Sequence, residues 1–317
     1  MQTEKFFQTM SDGAEVAVNR WIPDDKDGIK GVVQLSHGML EHSLRYDRLG
    51  CILAEHGYVF SAHDHRGHGK TASNAQQKGT GMFGKLADKD GFSRVVSDVD
   101  EIIERLKGDY PGRKVVLLGH SFGSFISQAY IERHGEKLAG CILCGSAGPD
   151  NGRVRLAKFI TGVMRLFHRP EYKSRRLQNI VYSGYLKRIP DAKNEFAWVS
   201  ANPVNVEMYM NDSWCGGVAT ISFYKDLMDG LLAIHKPAAM RRIPQSLPVF
   251  LIAGADDPVG GYGRTLEKLA GIYRKNGMHS VSLKLYAGDR HELFNEQDSD
   301  SVVEDVLRWI EESVLKG

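Results

Sequence analysis

Ser121 lies in Gly119-His120-Ser121-Phe122-Gly123, between the apolar run KVVLL (114–118) and a segment of helical character, SFISQAYIERHG (124–135). A serine hydroxyl is a weak nucleophile at neutral pH. At a sharp strand-to-helix turn it is lifted clear of the sheet, and the first N–H groups of the helix face any negative charge that forms beside it. Gly119 and Gly123 let such a turn pass close to its neighbours. Glycine supplies 34 of 317 residues, so G-x-S-x-G also arises as an ordinary turn. The strand–turn–helix setting separates the two readings and favours a nucleophile.

A nucleophilic serine needs a base and an acid that orients the base. Candidates for both stand at the ends of strand-like runs: ADDPV (255–259) after PVFLIAG, and DRHELF (289–294) after VSLKLYAG. His291 is the expected base and Asp257 its partner. Asp256 competes for that role; Asp257 is preferred because Pro258 stiffens the turn directly after it. A developing oxyanion requires two N–H donors about 3 Å away. SHGML (36–40) ends another run at His37 and Gly38, which makes the backbone N–H groups of Met39 and Phe122 the expected donors. The chemistry implied is acyl transfer through a covalent serine intermediate, with no metal and no organic cofactor.

These residues need a scaffold that brings strand ends together. GVVQL, YVFSA, KVVLLG, AGCILCG, PVFLIAG and VSLKLYAG recur along the chain, mostly separated by helical periodicity, the pattern of a mostly parallel sheet of about eight strands. Val95, Val99, Ile102, Ile103 and Leu106 predict one amphipathic helix, and Val303, Val306, Leu307, Ile310 and Val314 another. EKFFQTM and EVAVNRWI flank Asp12-Gly13, which predicts an opening hairpin with a type I′ turn. From Asp150 to about Gly217 no strand-like run occurs, so a helical insertion is expected there. Leu156, Phe159, Ile160, Val163, Met164 and Phe167 form its apolar stripe, which predicts packing on the main domain. Residues 151–190 hold ten Lys or Arg against one acid, Glu171.

The remaining features limit the function classes. The chain is 42% hydrophobic and 25% charged, an ordinary globular composition, and its net charge of +2 gives no global footprint for nucleic acid. The opening MQTEKFFQTMSDGAEV lacks the apolar stretch of a secretory signal, so a cytoplasmic location is expected. Cys51, Cys141, Cys144 and Cys215 show no zinc-like or disulfide spacing and are expected to be buried thiols. His63, His65 and His68 in HDHRGHG have a spacing also used by metallohydrolases, but Gly67 stands where that pattern usually has Asp, so a structured loop is expected. GTGMFG (79–84) follows polar SNAQQK rather than a strand, which argues against a dinucleotide site.

HGMLEHSLRYDRLGCILAEHGYVFSAHDHRGHGKT, GHSFGS, GADDPV and GDRHELFNE together resemble the monoacylglycerol lipase and lysophospholipase group of α/β-hydrolases, over nearly the whole chain. The resemblance implies an α/β-hydrolase core (1–148 and 221–317) with an inserted helical lid (149–220), and the same triad and oxyanion donors. It does not fix the substrate; the apolar stripe of the insertion suits an alkyl chain, so a monoacyl lipid ester is expected, with peptidase, thioesterase and catalytically silent binding module as alternatives. The basic insertion suits transient contact with an anionic membrane surface. One departure is visible: these enzymes often carry glycine where this chain has Leu40, which is expected to reshape the acyl side of the pocket.

Overall fold

The computed structural model describes residues 1–189 and 191–316. The chain opens with β1 (Gln2–Thr9) and β2 (Glu15–Ile22), then β3 (Gly31–Ser36), α1 (Asp47–Glu55), β4 (Tyr58–His63), α2 (Gly69–Gln77) and α3 (Gly91–Asp109). It continues through β5 (Lys114–His120), α4 (Phe122–His134) and β6 (Gly140–Cys144) into three helices without an intervening strand: α5 (Asn151–Phe167), α6 (Arg175–Val181) and α7 (Pro203–Asn211). After them come α8 (Ile221–Ile234), α9 (Pro237–Met240), β7 (Val249–Gly254), α10 (Arg264–Lys275), β8 (Val281–Tyr286) and α11 (Ser299–Trp309). All six apolar runs became strands of one eight-stranded sheet, ordered β1-β2-β4-β3-β5-β6-β7-β8. Only the pairings of β1 with β2 and of β2 with β4 are antiparallel.

Side chains alternate across the parallel strands, and helices cover both faces. Val115, Leu117, Cys141, Leu143, Val249 and Leu251 join one apolar cluster with residues of α3, α4, α8 and α10. Val116, Leu118, Ile142, Cys144, Phe250 and Ile252 join the other, with α1 and α11. Strand order reverses around β3: the chain leaves it toward β4 and returns on its other side as β5. Loops at such a reversal diverge and open a crevice at the C-terminal strand ends. Ser36 pairs with Gly119 in register, so the loop carrying Met39 and the turn carrying Ser121 leave the sheet side by side.

Three expectations change. The opening turn is not type I′, which needs positive φ at both central residues. Gly13 alone has it (φ 83°), and Gly13 N–H donates to Met10 C=O at 2.8 Å, so a type I turn ending in a left-handed glycine joins the strands. Cys141, Cys144 and Cys215 are buried, whereas Cys51 on α1 is half-buried. The stripe on α5 divides: Ile160 and Met164 pack on the core, while Phe159 is 69% exposed and Phe167 76%. Leu166, one residue before Phe167, is 79% exposed. No described helix is long and apolar enough to cross a membrane.

The division between core and exposed apolar residues gives a direct test. Ile103→Ala, in the fully buried face of α3, should cost about 2–5 kcal/mol in chemical denaturation. Leu166→Ala should stay within about 0.5 kcal/mol; equal losses at the two sites would contradict the packing described.

Candidate active site

Ser121 sits between β5 and α4 with φ 51° and ψ −117°. That conformation costs on the order of 1–3 kcal/mol and persists only where the surroundings impose it. Here they do. A Cβ on Gly123 would lie 1.9 Å from Ser36 O, and one on Gly119 would lie 2.6 Å from Gly123 O. Ser121 N–H donates to Cys144 C=O at 3.0 Å, which fastens the turn to β6. Phe122 is the first residue of α4, so its N–H has no intrahelical acceptor. Met39 N–H likewise donates to no protein acceptor among the described residues.

His291 and Asp257 come together from the loops after β8 and β7. His291 Nδ1 is 2.9 Å from Asp257 Oδ2, both side chains are buried, and the other carboxylate oxygen of Asp257 accepts Val259 N–H at 2.8 Å. Asp256 is exposed and does not enter the site. The imidazole packs between the rings of His120 (4.8 Å) and Trp198 (5.1 Å). Across from it, a Cβ on Gly145 would lie 3.1 Å from the ring. Ser121, Met39, Phe122 and His291 line one cavity of about 280 Å³. Phe125, Ile160, Leu227, Met228 and Leu231 make its apolar wall. No hydrogen bond joins Ser121 Oγ to His291; such contacts often tighten only once substrate is bound. The arrangement holds an oriented base, a projecting hydroxyl and two N–H donors around one apolar space, the parts required for acyl transfer.

The loop after β3 is shaped by buried polar groups. His65 N–H donates to His37 Nε2 at 3.0 Å, so His37 carries its proton on Nδ1, which lies 2.8 Å from Gly38 O. Burial pushes His37 down to about 4, against the opposing charge of Glu41, which keeps the ring neutral. His63 and His65 hydrogen-bond each other at 3.0 Å, and His68 Nδ1 is 2.9 Å from Arg66 O. HDHRGHG is thus a hydrogen-bonded loop. Leu40 corrects an expectation: it does not line the cavity but packs in the main core with φ 54°. Glycine suits that position for backbone reasons. Contacts hold leucine there, since Leu40 C=O accepts Gly216 N–H at 3.1 Å and Tyr209 O–H at 3.3 Å.

Several contributors escape motif reading. Glu41 is buried and accepts from Gly38 N–H, Tyr46 O–H (2.9 Å), His120 Nδ1 (3.1 Å) and Arg45 (3.1 Å). Arg45 also clasps Glu292, the residue after the candidate base, and reaches Asn205 of α7 at 2.9 Å. Glu296 accepts Ser200 O–H and the N–H groups of Ala201, Asn202 and Arg290. These contacts join the loop bearing Met39, the loop bearing His291 and the segment from Ser200 into α7. Their sequence signal was opposite charges flanking the motif residues, in EHSLR and HELFNE.

Burial alone would lower His120, but its hydrogen bond to Glu41 and that carboxylate's charge prevail and raise it above 6.5. Burial alone would raise Glu41, but His120 and then Arg45 hold it well below 4.5. Stability from a raised histidine is complete below its unfolded value and fades as pH rises through its folded one; stability from a lowered carboxylate is present above its unfolded value and fades as pH falls through its folded one. The pair therefore stabilises most between 4.5 and 6.5. The stability difference between wild type and His120→Gln, read from urea midpoints, should shrink as pH rises past neutrality; a difference that grows would refute the pairing.

With this geometry in place, the likeness to known proteins is specific. The sequence profile of the family described as "Serine aminopeptidase, S33" (Hydrolase_4) matches residues 27–298. A monoacylglycerol lipase of Mycolicibacterium smegmatis is 26% identical over 301 residues, covering 94% of this chain and 93% of the relative. A monoglyceride lipase of Mus musculus is 26% identical over 310 residues, covering 95% and 88%. Among solved structures, a thermostable carboxyl esterase from Bacillus coagulans in complex with glycerol superposes with a TM-score of 0.89 at 28% identity, covering 99% of both chains. The chain belongs to the Hydrolase_4 family of α/β-hydrolases and is a monoacylglycerol lipase-like serine hydrolase.

Proposed function

We propose that the protein hydrolyses monoacyl lipid esters, monoacylglycerol or lysophospholipid, through an acyl-enzyme on Ser121. The observation that carries this reading is the buried pair of His291 and Asp257 at 2.9 Å, on the same apolar cavity as a serine held at φ 51°. Ser121 Oγ attacks the ester carbonyl as His291 Nε2 takes its proton, and Asp257 stabilises the resulting imidazolium. Met39 and Phe122 N–H groups hold the tetrahedral oxyanion. The C–O bond to the alcohol breaks, and the departing oxygen receives the proton from His291. Water then enters and attacks the acyl carbon as His291 takes its proton; the C–O bond to Ser121 breaks, Ser121 Oγ takes that proton back, and the fatty acid leaves.

The cavity wall supports the substrate class. Phe125, Leu227, Met228 and Leu231 suit a single alkyl chain, in keeping with the monoacylglycerol lipases among the relatives. A peptidase cleaving from an amino terminus would need a free carboxylate for the ammonium group. Of the carboxylates on the cavity, Glu41 and Glu292 are already engaged by Arg45, and Asp150, just before α5, shares its wall with the cation Arg153. Complete candidate machinery likewise argues against a catalytically silent binding module.

Residues 149–220 act in this reading as a lid. Val154, Ala157 and Ile160 of α5 line the cavity, while Phe159, Leu166 and Phe167 face outward. Arg155, Arg165 and Arg169 are exposed on the same stretch, and Lys158 pairs with Asp229 of α8. An amphipathic surface of this kind suits peripheral contact with anionic lipid, with about 1 kcal/mol from each cation near the surface.

Ser121→Ala should lower kcat on short-chain and long-chain monoacyl esters by on the order of 10⁶ and abolish labelling by an active-serine probe. Undiminished hydrolysis in the variant would defeat the mechanism, and headgroup dependence across the same panel separates monoacylglycerol from lysophospholipid. In vesicle sedimentation, binding should rise with anionic lipid and fall with salt; indifference to both removes the electrostatic contact.

A further inference from the structure

Three potential metal ligands of different chemistry converge outside the catalytic cavity. His42, Asp212 and Cys215 place one ligand atom each within 4.8 Å of the others, and none of the three lines the cavity of Ser121. They come from two distant pieces of chain. His42 stands three residues beyond Met39, whereas Asp212 and Cys215 follow α7 in the insertion.

The turn is built around these side chains. Asp212 Oδ1 accepts Trp214 N–H at 2.8 Å, which fixes the carboxylate and leaves Oδ2 at 2.7 Å from His42 Nε2. Cys215 N–H donates to Asp212 C=O at 3.0 Å and closes the turn. Trp214 lies edge-on to the His42 ring, 5.3 Å between centroids, and His42 Nδ1 is buried without a protein partner among the described residues. The charged groups facing Cys215 are the carboxylates of Glu41, Asp212 and Glu292 and the guanidinium of Arg45, a surplus of negative charge. Asp212 is 32% exposed and gives an ion a way in.

Thiolate, imidazole and carboxylate form a donor set suited to zinc, with the fourth tetrahedral position left to water. Bonds of about 2.0–2.3 Å set ligand atoms about 3.3–3.8 Å apart in such a site, so a contraction of about 1 Å from the widest separation suffices. We propose that His42, Asp212 and Cys215 bind a zinc-class divalent cation that fastens the insertion to the oxyanion loop. Binding replaces the Cys215 S–H bond with a sulfur–metal bond and releases that proton to solvent. The ring proton of His42 moves to Nδ1, which frees Nε2 as a ligand, and no oxidation state changes. The ion does not touch the reacting atoms. It locks the piece of chain after α7 against the loop that carries Met39, and so makes access to the cavity sensitive to metal.

The test titrates the full chain with zinc alone, by calorimetry in two buffers of different ionisation enthalpy, and with cobalt(II) followed by absorption. One ion per chain, proton release and an intense sulfur-to-cobalt charge-transfer band are expected, with a higher melting temperature and slower ester hydrolysis in the zinc-loaded protein. Cys215→Ala should abolish the band and, like Asp212→Asn, weaken zinc binding at least about tenfold. Hydrolysis by Cys215→Ala should be unaffected at zinc concentrations that saturate wild type. Absence of binding in wild type, or binding and inhibition unchanged in both variants, overturns the proposal; the second result assigns the ion to other histidines. If Cys215→Ala does not fold, Cys215→Ser and Asp212→Asn carry the same comparison.

Discussion

A serine at φ 51° and ψ −117° is held against its own preference by three neighbours: the backbone of β3 pressed on Gly123, the backbone of α4 pressed on Gly119, and the carbonyl of Cys144. None of these contacts is chemical in purpose, yet each fixes where the hydroxyl projects. The register of β3 against β5 is the underlying constraint. Ser36 opposite Gly119 sets the distance from the sheet at which both the loop bearing Met39 and the serine turn begin. A one-residue slip would reverse every side chain on a strand buried on both faces, so the apolar clusters that stabilise the sheet also secure the site.

Outside that turn, precision depends on buried charge. Glu41 collects four donors, and Arg45 carries the connection to Glu292 and α7. Removing either partner of such a group leaves the other uncompensated, so the network is stable as a whole and fragile in its parts. Through it the loop bearing Met39, the loop bearing His291 and α7 are joined.

Local patterns made much of this legible. Strand runs rich in branched residues and Val99 and Ile103 at helical spacing specify the sheet and its covering helices, and the three strand-end motifs single out Ser121, Asp257 and His291 as candidates, because each depends on neighbours close in sequence. What stayed hidden depends on long-range contact. Glu41 and Arg45 gain their partners only when the fold brings Glu292 and Asn205 to Arg45. His42 and Asp212 lie 170 residues apart in sequence, beyond any spacing rule, whereas the conspicuous HDHRGHG is occupied by hydrogen bonds. The α5 stripe misled for a related reason: periodicity reports that a face is apolar, not what covers it, and only Ile160 and Met164 find the core.

The uneven distribution of charge has a consequence of another kind. Residues 151–190 carry a net +9 within a chain of net +2, leaving −7 on the remainder. Separated charge of this size gives the molecule a dipole moment, and a dipole in a field experiences a torque before any contact forms. Near a charged boundary the molecule turns as it approaches, so encounters are sorted by orientation during diffusion. The effect lies in the rate of productive collision rather than in the strength of any complex, and it weakens over the Debye length of the surrounding solution.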